Sequence, residues 1–127
     1  MTSPTILIVE NHTLLRNSLR DWLATAFEQC HIIEASNGLE AIEKVQEQSP
    51  QIIIMDIALP RLDCLKAGQR IKTLAPDTRI VILTIYGDNL HRAKAMTTGV
   101  SAYVSKSELE SKLVPTLQTL LAEQGTP

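Results

Sequence analysis

Aromatic residues are scarce in this sequence, with one Trp, two Tyr and one Phe among 127 residues. Trp22, Phe27, Tyr86 and Tyr103 are too few and too scattered to form the stacking platform that single-stranded nucleic acid requires, so the core must be aliphatic. Long apolar runs are also missing. None approaches the roughly 20 residues that a helical membrane span needs. The opening Met-Thr-Ser-Pro lacks the basic region and apolar stretch of a signal peptide, and the expectation is a cytoplasmic chain that does not engage a membrane. Nor is there an excess of one charge: 12 Lys plus Arg face 14 Asp plus Glu, a net of −2 with no run of five like charges. A nucleic-acid surface shows a basic excess, so direct nucleic-acid binding by this chain is not expected. The two cysteines, Cys30 and Cys64, form neither a CxxC pair nor a metal-ligand spacing. They read as small, buried or half-buried residues in a reducing compartment. His12 and His91 are likewise isolated from other ligating residues.

What is present is an alternation of short β-branched runs with longer helical patterns. Thr5–Val9, Gln51–Met55 and Arg79–Thr84 are continuous apolar runs of the kind a parallel sheet buries on both faces. His31–Glu34 is a weaker strand, expected near an edge, and Ala102–Val104 is a fifth. Leu14, Leu15, Leu19, Trp22, Leu23 and Ala26 recur at helical spacing over residues 12–27. Asn37-Gly38 opens a second helix, and the pattern from Leu65 to Leu74 makes a third. Gly87 and Asp88 cap a fourth that runs to Thr97, and Leu113, Leu117, Leu120 and Leu121 mark a fifth. Pro115 would break a backbone bond inside the last helix, so a start near Ser111 is expected, with a kinked helix as the other option and residues 107–111 irregular or loosely helical either way. Five strands alternating with five helices predict a single α/β domain over residues 1–127, with a parallel sheet.

In such a sheet ligands bind beyond the carboxyl ends of the strands. Glu10 and Asn11 follow strand one, Asp56 strand three, Thr84 strand four and Lys106 strand five. Two carboxylates can hold a hard divalent cation through oxygen. Asn11 adds an amide oxygen, Lys106 a cation and Thr84 a hydroxyl donor. Together they suit phosphoryl transfer onto the carboxylate of Asp56, with metal and lysine neutralising the transferred group. Taken singly each residue reads as a turn, cap or solvated group, and the joint occurrence carries the signal.

The stretches ILIVENHTLLRNSL, IIIMDIALP, IVILTIYG and AYVSK resemble the receiver domain of two-component response regulators over essentially the whole chain. With His12 and Arg16, ENHTLLRNSLRDWL is most similar to NarL/LuxR-type receivers. The resemblance implies a CheY-like, flavodoxin-like sheet of order 2-1-3-4-5 flanked by five helices. It implies Asp56 as phosphoacceptor, Thr84 as switch hydroxyl, Lys106 as the site lysine and Tyr103 as the aromatic switch. It further implies Mg²⁺ held by Glu10, Asn11, Asp56 and the Ala58 carbonyl, with a histidine kinase or phosphotransfer protein as donor. The output would be a domain or partner protein, as in transcriptional control, read from the surface formed by the fourth helix, fifth strand and fifth helix, where a homodimer would also form. Such a chain is a phosphoacceptor with self-catalysed transfer at most, not an enzyme.

Three positions depart from the family pattern. Asn11 stands where a second acid usually meets the metal, which predicts a weakened Mg²⁺ site. Cys64 replaces a glycine, which predicts strain or a changed loop. Leu59 and Ile85 replace a Met and a small residue, and Ile85 and Tyr86 could crowd the approach to Thr84. These departures support an alternative, an atypical receiver acting as a phosphorylation-independent interaction module. A phosphatase with an aspartyl intermediate is disfavoured, because Ala58 stands where such enzymes carry a second acid.

Overall fold

The computed structural model describes residues 3–57, 64–84 and 99–124. Five parallel strands form one sheet in the order β2-β1-β3-β4-β5. They are β1 Thr5–Val9, β2 His31–Ala35, β3 Ile52–Asp56, β4 Arg79–Thr84 and β5 Ala102–Ser105. Four helices lie among the described residues: α1 Thr13–Ala26, α2 Gly38–Gln48, α3 Cys64–Leu74 and α4 Leu109–Gln124. The weak strand at His31 is the sheet edge, as its mixed composition suggests. The helix expected between Gly87 and Thr97 lies outside the described residues, together with Ile85, Tyr86 and His91. Ala58, Leu59 and Pro60 lie outside them as well.

Alternation along the strands splits the core in two. Leu7, Val9, Ile53, Met55, Ile80 and Ile82 pack on one face, with Ala41 and Val45 of α2 and Ala67 and Ile71 of α3. Ile6, Ile8, Ile52, Ile54, Val81 and Leu83 pack on the other, with Leu19 and Leu23 of α1 and Leu113, Leu117 and Leu120 of α4. The period-2 alternation of the strands thus serves two helical layers at once. Each fully buried Ile or Leu contributes about 1.5–3 kcal/mol relative to exposure.

Local signals set the helix ends. His12 caps α1, its Nδ1 accepting from the Leu15 amide at 3.3 Å. Asn37 caps α2, its Oδ1 accepting from the Glu40 amide at 2.9 Å, and Glu40 adds negative charge to the first turn. Ser49 closes α2 in the left-handed region at φ 47°, and Pro50 then prevents continuation. Cys64 begins α3, and among the described residues Ser49 is the non-glycine with positive φ. Replacing glycine at position 64 therefore brings no left-handed strain there.

The last helix corrects the sequence expectation. A 3₁₀ turn at Lys106–Glu108 runs directly into α4, so residues 107–108 are loosely helical but the α-helix starts at Leu109, not at Ser111. Pro115 sits inside it. Pro115 and Ser111 are both exposed, so water can meet the carbonyl that the proline leaves without a partner. Burial of Leu113, Leu117 and Leu120 holds the helix through the defect. Pro115→Ala restores that hydrogen bond, and we expect it to raise unfolding stability in urea by about 1–3 kcal/mol.

Candidate functional site

Register brings the functional side chains to one edge. Val9 pairs with Ala35 on one side and Met55 on the other, so Glu10 and Asp56 follow at neighbouring strand ends. Asp56 pairs with Leu83 and Thr84 with Ser105, which delivers Lys106 to the same edge one residue later. Glu10, Asp56 and Thr84 are all buried, at 2, 7 and 0% exposure.

The ammonium of Lys106 lies between the two carboxylates. Its Nζ donates to Glu10 Oε1 at 3.0 Å and to Asp56 Oδ2 at 2.9 Å. Burial alone would lower the Lys106 pKa, but hydrogen bonds and charge from Asp56 and Glu10 outweigh it and hold the ammonium above the ordinary lysine value. The second oxygen of Glu10, Oε2, accepts from the His12 amide at 3.0 Å, and the Glu10 amide donates to the Ala35 carbonyl at 3.0 Å. Asn11 is exposed beside the site.

The one ammonium contacts both Glu10 and Asp56, so both acids turn an oxygen toward the same point. That donor set fits a hard, oxygen-seeking divalent cation, with Asn11 able to add an amide oxygen. Among the described residues no group of three His, Cys, Asp or Glu side chains could hold a metal. The Ala58 carbonyl lies outside the described residues.

On the opposite face of the sheet, β4 and β5 carry the remaining pair. Tyr103 pairs in register with Ile82, two residues before Thr84, and packs half-buried against the cluster of α2 and α3. Trp22 and Cys30 are half-buried against the α1 and α4 cluster, and burial raises the Cys30 thiol pKa. His12 serves as a helix cap.

Two residues to which sequence reasoning gave no role join the site. Arg16 donates from NH1 to the Glu10 carbonyl at 2.8 Å, and its Nε lies 3.4 Å from Glu34 Oε1. The other Glu34 oxygen accepts from Arg20 at 3.2 Å. Arg16 was visible only as part of the helix-one motif. Glu34 became relevant only when β2 lined up beside β1. At the other edge of the sheet a groove of about 730 Å³ is lined by Pro50, Lys72, Pro76 and Arg79. There the Lys72 ammonium is taken by the Pro76 and Thr78 carbonyls at 3.0 and 2.8 Å, and the groove brings no carboxylates together.

The sequence profile described as response regulator receiver domain matches residues 6–118. The chain is 34% identical over 113 residues to the transcriptional regulatory protein YhcZ of Bacillus subtilis, covering 89% of this chain and 53% of that protein. It is 34% identical over 101 residues to the chemotaxis protein CheY of Halobacterium salinarum, covering 80% of this chain and 82% of that one. Its fold is similar to the crystal structure of a LuxR-family two-component response regulator from Aurantimonas sp. SI85-9A1, with a TM-score of 0.88 at 28% identity, covering 95% of this chain and 86% of that one. The chain spans about half the length of the first curated relatives it matches.

The raised Lys106 pKa fixes the sign of a pH effect. The folded state favours the charged lysine, so its stabilising contribution is complete below the ordinary value of 10.5 and is lost as pH rises through the folded value. In urea denaturation, the stability difference between wild type and Lys106→Met should be constant from about pH 7 to 9. It should shrink once pH passes the ordinary lysine value.

Proposed function

The chain belongs to the response regulator receiver family, and from that premise we propose that it accepts a phosphoryl group on Asp56 and relays the change to an output domain or partner protein. Its donor is a histidine kinase or a phosphotransfer protein. The observation that carries this reading is the Lys106 ammonium held at 3.0 and 2.9 Å between two buried carboxylates. A structural ion pair needs one acid. A second buried acid beside it costs stability unless a further cation is part of its use. We assign residues 1–127 to one receiver domain.

In this reading an Asp56 oxygen attacks phosphorus, the bond from phosphorus to the donor breaks, and an acyl phosphate forms. Mg²⁺, when bound by Glu10, Asp56, Asn11 and the Ala58 carbonyl, supplies positive charge to the transferred group. Lys106 supplies the second positive charge from the β5 side. The Thr84 hydroxyl donates to a phosphoryl oxygen, and Tyr103, on the same face of the sheet, follows its movement. The readout is the surface of β5, α4 and the segment between β4 and β5, where two copies could also pair. Receiver domains are signalling domains, so Asp56 holds its phosphoryl group as a signal and does not turn over a substrate.

The test is intact mass after incubation with acetyl phosphate and Mg²⁺. Wild type should gain one phosphoryl group and Asp56→Asn none. An unlabelled wild type, under conditions that label a control receiver, would overturn the proposal in favour of a phosphorylation-independent interaction module. The exposed position of Asn11 also sets a magnitude. A charge added near a cation at the surface is worth about 1 kcal/mol or slightly more. Asn11→Asp should therefore tighten Mg²⁺ binding by roughly five- to tenfold in a calorimetric titration.

A further inference from the structure

Glu10 is held from four directions. Lys106 takes Oε1, the His12 amide takes Oε2, the Ala35 carbonyl takes the backbone amide, and Arg16 takes the backbone carbonyl. The first two contacts direct the carboxylate. The last two direct the backbone that carries it, and of these the side-chain contact comes from Arg16.

The geometry of Arg16 is closed on itself. Its own amide bonds the His12 carbonyl at 2.9 Å as the first turn of α1 forms. Its guanidinium reaches back over that turn to the Glu10 carbonyl at 2.8 Å. The segment from Glu10 to His12 is thus tied at both ends by one residue, and that segment presents the His12 amide to Glu10 Oε2. Glu34 sets the guanidinium plane from β2 at 3.4 Å, and Arg20 holds the other Glu34 oxygen. A guanidinium can serve a carbonyl and a carboxylate in two directions with fixed geometry, and an ammonium cannot. The Arg16 side chain is only 18% exposed, so these contacts are partly screened from water.

We infer that Arg16 is a positioning residue that aims the Glu10 carboxylate at the divalent cation without touching the cation itself. The inference rests on the reading of Glu10 and Asp56 as cation ligands. Outer partners of this kind, when removed, cost metal affinity roughly ten- to a hundredfold.

The experiment compares wild type with Arg16→Ala, Arg16→Lys, Glu34→Gln and Arg79→Ala. The last breaks the 2.9 Å pair with Glu123 at the far edge of the sheet and serves as a stability control. Three quantities are read: the Mn²⁺ dissociation constant by electron paramagnetic resonance, His12 amide exchange in metal-free protein, and stability in urea. Arg16→Ala should weaken Mn²⁺ binding by about tenfold and speed His12 exchange. Arg16→Lys should recover part of both, and Glu34→Gln should shift both more weakly in the same direction. Arg79→Ala should lower stability and leave both unchanged. Unchanged Mn²⁺ affinity and His12 exchange in Arg16→Ala would overturn the inference, as would equal shifts in Arg79→Ala. If Arg16→Ala fails to fold, Arg16→Lys and Glu34→Gln decide by the same readouts. If wild type binds no Mn²⁺, the ligand reading of Glu10 and Asp56 fails, and unchanged His12 exchange in the Arg16 variants would separately end Arg16's hold on Glu10.

Discussion

Two carboxylates placed side by side at the end of a buried sheet repel each other and lose their hydration. The Lys106 ammonium, shared between Glu10 and Asp56, is what makes that arrangement tolerable. The topology follows from the same requirement. Parallel pairing sends the ends of β1, β3, β4 and β5 to one edge, and from the end of β5 the long Lys106 side chain reaches both acids. The site is therefore a property of the sheet edge and of no single segment.

That interaction also gives the site its electrical character. Two negative charges and one positive leave a net deficit at the sheet edge, which favours a further cation and then an anion that the cation can carry. Around this centre lie the contacts of the His12 amide, then Arg16 and Glu34. The outer contacts are weaker individually, yet they decide where the inner carboxylate points.

On the other face of the sheet, Thr84 and Tyr103 share the strand alternation that buries Ile80 and Ile82. The α1 and α4 layer on the opposite face belongs to a separate cluster of side chains.

Much of this was legible in the linear chain. Continuous β-branched runs such as Ile52–Met55 read as strands buried on both faces, and Asn37 marks a helix start through its own hydrogen bond. Glu10, Asp56, Thr84 and Lys106 stood out because each follows a strand. Pro115 misled for a physical reason: local backbone chemistry argues for a break, while burial of three leucines on one face outweighs it and solvent meets the freed carbonyl. Arg16 and Glu34 could not be paired from spacing, since they lie on different elements and meet only across the β1–β2 register. Sequence alone determined which residues carry charge, which segments are strands, and that the acids and the lysine sit at strand ends, because these depend on residue type and local periodicity. Tertiary structure decided which oxygen faces which nitrogen, since those contacts join residues up to 96 positions apart and exist only when the sheet closes.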